Sequence, residues 1–569
     1  MIEGSRDAAP MAPVVIIGAG PTGLVAANLL GAAGIGCIVL DRHDGVYALP
    51  RAVHIDDEVL RIFAAMGLAD EVLTGTTPGR GLRFVRDDRR VIAEFRRDPL
   101  GGVHGYPEAN FVDQPWLEAV LRSGLDRFPH VALRESAQVI AVQPVGEGDD
   151  APIRVRVRDQ RTGAEDVLIA PAVLGCDGAT GLCRGVVGTP VEDLRFAERW
   201  FVVDVRTETP LPSWGGVEQV CGRRSAATFI PMRPDRYRWE FRLPAGDSAS
   251  GVAAAATIAD PAALARLLAP WLEPAGVSAA DLEVLRAAVY TFRARVTRSW
   301  QRGRVFLLGD AAHELPPFLG QGLGAGTRDA ANLTWKLALV LRGAADERLL
   351  ATYADERRPH VRRVAVLSVV AGRITVGTAA GADALGAGLV SRVRTGLLRG
   401  SLTLPPARSL LARAAWPALA PGALVVRTRG LPRGLPWGLP RRGLAGRFVP
   451  RVCPEMDETL GSGFAVLAYG TGWLLDADPG AVEFFTGLGT RFVGLASAAV
   501  APAGSAPAAP DPRVNVFSDP GGRLGGWLAN GGARAVLLRP DRVVAAASRS
   551  VPLGRWRRLL VAAGVGPAG

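Results

Sequence analysis

Residues 14–41 read VVIIGAGPTGLVAANLLGAAGIGCIVLD. Val14 to Ile17 is an unbroken apolar run, the pattern of a strand buried on both faces of a parallel sheet. A Gly18-Ala19-Gly20-Pro21-Thr22-Gly23 turn follows, then an Ala/Leu-rich helix over 24–33, then a second apolar run over 37–40 that ends at Asp41. The three glycines do different things. Gly18 permits the tight turn, Gly20 lets backbone approach a pyrophosphate, and Gly23 lets helix pack on strand. An acid at the end of the second strand can accept from ribose hydroxyls. A lone GxGxxG is weak, but strand, turn, helix, strand and acid in this order indicate a dinucleotide site.

Two later stretches repeat the theme of a strand that delivers an acid. Residues 173–184, VLGCDGATGLCR, bring Asp177 to a strand end. Residues 305–337, VFLLGDAAHELPPFLGQGLGAGTRDAANLTWKL, bring Asp310 to another, placed for a ribityl or sugar hydroxyl. Pro316-Pro317 excludes helix there, and Gly320, Gly322, Gly324 and Gly326 leave the backbone bare for a flat ligand. A helix is expected over 329–337, its first-turn N–H groups presented to that ligand. Arg42 is placed either to stack on an adenine or as an ordinary surface arginine. Arg51, after a turn, could neutralise a pyrophosphate, and Gln114 opens a helix over 114–122.

At 569 residues the chain suits two or three domains. A hydrophobic content of 48% and mean hydropathy of +0.18 fit a packed protein. Charge or proline interrupts every long apolar stretch, which argues against a membrane-spanning helix. Residues 1–12 read as a loose leader without signal-peptide layout, and the protein is expected in the cytoplasm. Five cysteines without CxxC spacing argue against a disulfide framework and a zinc site. The net charge of +11 comes almost wholly from scattered arginine, Lys336 being the one lysine; this reads as compositional bias, not a nucleic-acid surface.

Beyond the first nucleotide motif, alternating runs near 82–95 read as a small β insertion at about 80–110. The expected organisation is a Rossmann-like α/β nucleotide domain over 13–195, interrupted by a β-rich domain over 196–300 that includes a helical piece at 261–285. The nucleotide domain is completed by 301–390, helical to about Arg373 with Tyr353, Arg357 and Arg358 on a polar face. A connecting segment over 391–443 leads to a smaller α/β unit over 444–569, with strands at 464–468, 491–496 and 535–538. The β-rich part is the natural wall of a substrate chamber.

Together the GAGPTG turn with Asp41, the CDGATGLCR segment and the GDAAH…PP…GQG…RDAANLTWKL segment resemble the group A flavoprotein aromatic hydroxylases, which have the para-hydroxybenzoate hydroxylase fold. LPRAVHIDDEVLRIF at 49–63 and RYRWEFRLP at 236–244 resemble the 3-(3-hydroxyphenyl)propionate hydroxylase branch and its relatives that tailor aromatic polyketides. The resemblance implies FAD, and a thioredoxin-like C-terminal domain. It assigns Gly18, Gly20 and Gly23 to the pyrophosphate, Asp41 to the adenosine ribose, and Arg51 and Gln114 to the pyrophosphate and ribityl region. Asp310 falls to a ribityl hydroxyl, the Pro317 and Gly320-Gln321-Gly322-Leu323 segment to the flavin ring, and Asp177 to FAD and nicotinamide-cofactor use. Where family members often carry Met-Asn after GQG, this chain has Leu323-Gly324, so contact there comes from backbone.

The implied reaction is FAD reduction by NADH or NADPH, oxygen addition to give a C4a-hydroperoxide, and oxygen transfer to a phenolic or polyketide aromatic ring. The implied partners are a small aromatic substrate and O2, with neither nucleic acid nor membrane; the oligomeric state stays open, a homodimer among the alternatives. His54, Tyr237 and Trp239 are chamber candidates, with a structural strand role the stronger reading for the last two; no catalytic acid or base is named. Two other readings stand: Baeyer-Villiger or epoxidation chemistry on the same fold, and a non-catalytic binding protein.

Overall fold

A computed structural model describes residues 12–46, 52–221, 226–243, 260–376, 418–426, 443–496 and 511–566. Its first sheet has six strands in the order Gln301–Arg302, Val305–Leu307, Val173–Gly175, Val14–Ile17, Cys37–Leu40, Val131–Arg134. All neighbours are parallel except the two-residue edge strand. The central strand Val14–Ile17 is buried throughout, as its uninterrupted apolar run requires. Helices Pro21–Ala32 and Gly322–Leu341 pack against each other beside it. An antiparallel meander, Ala137–Pro144, Ile153–Asp159 and Glu165–Ala170, forms the crossover into Val173–Gly175. In its middle strand Ile153, Val155 and Val157 are buried while the arginines between them are exposed, the period-two signature of a sheet with one wet face.

The second sheet has eight strands and is built around Val191–Arg206 paired with Glu283–Thr297. Arg236–Arg242, Ala226–Arg233 and Val217–Cys221 extend it. The hairpin Gly81–Val85 and Val91–Arg96 also belongs to it, joined through parallel pairing of Gly81–Val85 with Val217–Cys221. The sequence expectation of a separate insertion in the nucleotide domain is corrected here: alternation marks a hairpin, but its partner strand lies far along the chain. The helical piece ends at Leu272, and Leu285 sits on the strand Glu283–Thr297. That helix, Pro261–Leu272, closes one face of the sheet by burying Leu264, Leu268 and Trp271 against Phe229, Tyr237, Trp239 and Phe241.

Two further expectations give way. The helix read as starting at Asp329 begins at Gly322, so Asp329 lies within it, and the helical stretch after Lys336 is broken between Leu341 and Arg348. Glycines mark a loop by composition, yet here they let two helices approach: a Cβ on Gly326 would stand 2.2 Å from Thr22 Oγ1. Tyr353 and Arg357 face inward, 0% and 2% exposed, because each has a buried partner. Tyr353 Oη donates to the Leu307 carbonyl (2.7 Å), and Arg357 Nε donates to Asp329 Oδ1 (2.8 Å).

The C-terminal unit carries a five-stranded sheet, ordered Val514–Ser518, Arg491–Ala496, Ala465–Tyr469, Ala535–Leu538, Val544–Ser548. The first three are parallel and the last two antiparallel. It docks on the nucleotide domain through buried charge. Arg539 Nη1 reaches Glu356 Oε1 at 2.7 Å, and Lys336 Nζ reaches Glu356 Oε2 at 2.9 Å. Burial works to raise the Glu356 carboxyl, but Arg539 and Lys336 outweigh it and hold it at about 2. Most of the expected connecting segment 391–443 lies outside the described residues.

Candidate functional site

The glycine turn has three different environments. Gly18 has φ +104°, and a Cβ there would stand 2.4 Å from the Cys176 carbonyl oxygen. At Gly23 it would stand 2.0 Å from the Gly18 oxygen, whereas at Gly20 it meets no atom within 4 Å. Two of the glycines are thus demanded by the fold, and the third borders open space. Asp41 Oδ2 accepts from Ala19 N at 2.6 Å and Oδ1 from His43 N at 2.8 Å, so the acid at the strand end also fixes the turn. Arg42 is exposed, its Nε 3.1 Å from His43 Nε2.

Asp177 accepts from Cys183 N at 2.8 Å, while its Oδ1 is buried without a hydrogen bond. Burial raises its carboxyl above the ordinary range, with the Cys183 N–H working against that rise. Asp310 lies exposed in a single 3-10 turn, and its carbonyl accepts from Arg184 Nη2 at 2.8 Å. Asp329, missed as a site residue, sets that turn. Fully buried, it accepts from Gly309 N (3.1 Å), His313 Nε2 (2.7 Å) and Arg357 Nε (2.8 Å). Burial opposes its charge, but Arg357 and His313 prevail and hold its carboxyl below the usual range.

Pro317 opens a short 3-10 turn that ends at Gly320 with φ +64°. His54 Nδ1 lies 3.4 Å from the Gly320 carbonyl oxygen, and a Cβ on Gly320 would approach it to 2.9 Å. Burial depresses the His54 imidazole below its ordinary value, which keeps it neutral against this segment. Gln321 is buried and engaged: its Nε2 donates to Asp56 Oδ2, and its Oε1 accepts from Arg328 Nη1, both at 3.2 Å. Arg328 also binds both Asp56 oxygens (2.9 and 2.8 Å) and Glu58 Oε2 (2.8 Å). Burial disfavours the Arg328 charge, but these two carboxylates raise its pKa above the ordinary value. A Cβ on Gly324 would meet Arg328 Nη1 at 2.7 Å, so the residue in place of the family's Asn makes room for this guanidinium. Gly322 is open, a Cβ there meeting nothing within 4 Å, and Leu323 packs partly buried on the main core.

Gln114 orients the chain ahead of His54: its Oε1 accepts from Ala52 N at 2.7 Å and its Nε2 donates to Glu118 Oε1 at 2.8 Å. Arg51 lies outside the described residues. Tyr237 and Trp239 take the structural strand role, the stronger of the two readings for them. Tyr237 Oη donates to the Pro234 carbonyl (2.7 Å) and accepts from Leu211 N (2.9 Å), and Trp239 is fully buried under the helix Pro261–Leu272. The alternate residues of that strand face the other way, toward the nucleotide domain. On this face Arg236 pairs with Asp113, beside Gln114, and Ile230 and Met232 pack on Phe111. Trp200 lies 5.9 Å from Phe318 and 6.2 Å from Phe292, ring to ring, so the face meets the Pro317–Gly320 turn with aromatic side chains.

Comparison with known proteins agrees with this geometry. Residues 11–368 match the family model described as an FAD binding domain, and 451–563 match the HcaD C-terminal domain. The chain is 34% identical over 558 residues to a 3-(3-hydroxy-phenyl)propionate/3-hydroxycinnamic acid hydroxylase of Mycobacterium sp. (strain JLS), covering 94% of this chain and 89% of that one. It is 37% identical over 361 residues to a probable NADH-specific resorcinol 4-hydroxylase of Rhodococcus jostii (strain RHA1), covering 63% and 65%. Aklavinone-11 hydroxylase, solved with FAD and aklavinone, shares the fold with a TM-score of 0.73 at 20% identity, over 97% of this chain and 98% of that one. The flavin-dependent monooxygenase PieE does so with a TM-score of 0.73 at 21% identity, over 98% and 100%.

The family model and relatives put this glycine-turn nucleotide domain and its companion sheet among the flavoprotein monooxygenases. The chain belongs to the FAD-binding-domain family of aromatic hydroxylases and is an FAD-dependent enzyme.

Proposed function

We propose that this enzyme hydroxylates a phenolic or polyketide aromatic ring with O2, using NADH or NADPH as reductant. The observation that carries the reading is the meeting of Trp200, Phe292 and Phe318 at the turn that leads into Gly320-Gln321-Gly322. An aromatic cluster beside a bare backbone suits a flat substrate next to a flavin ring. Relatives named for 3-(3-hydroxy-phenyl)propionate and resorcinol support a phenolic substrate, and the latter name supports NADH.

The residues fit FAD. Open space at Gly20, beside the unpaired N–H groups of the helix Pro21–Ala32, would take the pyrophosphate between Gly18 and Gly23. Asp41 would hold the adenosine ribose and Arg42 the adenine side, Arg51 and Gln114 the pyrophosphate and ribityl region, and Asp310 a ribityl hydroxyl. Asp177 would serve FAD and the nicotinamide. Pro317, Gly320, Gln321, Gly322 and Leu323 would border the ring, where the first-turn N–H groups of the helix Gly322–Leu341 favour electron-rich atoms.

When bound, FAD supplies hydride acceptance and oxygen activation. The chain's own share is positioning and exclusion of water. The Arg328, Asp56, Glu58 and Gln321 cluster holds the segment that would border the ring, Asp329 holds the Asp310 turn, and the aromatic cluster would exclude water beside it. A thioredoxin-like reading of the C-terminal unit is supported by its parallel and antiparallel strand order. A homodimer completes the proposal, its test being the mass in solution. The reaction is tested by supplying 18O2 with NADH and a panel of phenols: one labelled oxygen on the ring supports hydroxylation, and label in a lactone or epoxide overturns it.

A further inference from the structure

The sheet face toward the nucleotide domain carries more charge than an apolar chamber wall needs. Most of it is internally satisfied. Arg238 holds Asp204 through Nε and Nη2 (2.5 and 2.9 Å), Arg242 Nη2 holds Glu198 at 3.0 Å, and Thr228 Oγ1 donates to Gln219 Oε1 at 3.0 Å. Glu240 differs. It pairs across the sheet with Val202 on one side and Thr228 on the other, one pleat from Arg242, which lies opposite Trp200. Its residue is 8% exposed, and its carboxylate makes no hydrogen bond among the described residues. Of the two cations that act on it, Arg238 approaches with Nη1 at 3.9 Å but is committed to Asp204 through its other guanidinium nitrogens, and Arg286 lies across the sheet opposite Asp204.

A carboxylate that accepts no bond from the described residues can accept one from a ligand that reaches it. About a tenth of the Glu240 side-chain surface remains open on this face, which is where a donor would enter. Burial raises its carboxyl above the ordinary range, Arg238 and Arg286 pull against that rise and Asp204 adds to it. We propose that Glu240 accepts a hydrogen bond from a hydroxyl of the aromatic substrate and so selects free phenols over their ethers. The assignment rests on the hydroxylase reading above. It makes Glu240 a specificity-determining residue, seated between the aromatic wall at Trp200 and the Arg238–Asp204 pair.

The test uses FAD-loaded enzyme and follows perturbation of flavin absorbance by resorcinol, 3-(3-hydroxyphenyl)propionate and 1-hydroxyanthraquinone, each beside its O-methyl ether. Wild type is expected to bind at least one free phenol about tenfold or more tighter than its ether. Glu240→Ala should bind the two alike with FAD retained, and Glu240→Gln, which keeps a carbonyl acceptor, should retain much of the preference. Discrimination that survives intact in Glu240→Ala overturns the assignment alone. Wild-type holoenzyme that answers to none of the phenols overturns the hydroxylase reading and this assignment together.

Discussion

Gly20→Ala adds one methyl group where the fold offers it room. Gly20 has φ −74° and ψ 176°, an ordinary extended conformation, and the added Cβ meets no protein atom within 4 Å. Without cofactor the variant should therefore unfold within about 0.5 kcal/mol of wild type. The open space is where a pyrophosphate must approach, so binding carries the whole effect. At FAD a hundredfold above its Kd, wild type gains about 2.7 kcal/mol; a variant weakened a hundredfold gains about 0.4 kcal/mol at the same concentration. Urea denaturation with and without FAD reads both quantities from one protein. Gly18→Ala is the contrast: its positive φ and the 2.4 Å approach to Cys176 should cost about 2 kcal/mol even without FAD. Equal FAD stabilisation in Gly20→Ala and wild type would refute the placement of the cofactor.

Asp329→Asn should lose about 3–5 kcal/mol, because Arg357 is left buried without its anion, and should weaken FAD through the released Gly309-Asp310 turn; denaturant melts and flavin dialysis check this. The same carboxyl, depressed in the folded state, contributes stability above about pH 4 that is lost as acid protonates it, so the variant should show a flatter acid limb. Asp57 has the opposite sign. Burial pushes its carboxyl up to about 7, so its contribution is present at low pH and lost as pH rises through 7. Between pH 5 and 7 wild type should fall on the order of 2 kcal/mol relative to Asp57→Asn, measured by melts at both values. Arg539→Met leaves Glu356 short of one of its two cations and should loosen the C-terminal unit, seen as faster hydrogen exchange over 535–548 than over 173–175.

The nucleotide half was legible because its signals are local. The apolar run, the glycine turn and the acid of residues 14–41 lie side by side in sequence, and the paired strands Val14–Ile17 and Cys37–Leu40 form with that register. The chamber was not, for a physical reason visible in RYRWEFRLP. Alternation correctly separates Tyr237, Trp239 and Phe241 from Arg236, Arg238, Glu240 and Arg242, yet a charged face is ordinarily wet. Here it is buried because the nucleotide domain covers it, a non-local fact. Trp200, Phe292 and Phe318 meet across more than a hundred residues of intervening chain, and no short-range pattern marks them. Gly322 to Gly326 misled for the complementary reason: close packing on Thr22 admits glycine in a helix.

Stopped-flow absorbance of the FAD-loaded enzyme mixed with NADH or NADPH, with and without phenols, tests the central claim most directly. The account predicts flavin reduction accelerated by a phenol of one class, followed by reoxidation in O2 with a matching hydroxylated product. Flavin reduction that no phenol accelerates, or reoxidation that yields only hydrogen peroxide with every phenol, would contradict it.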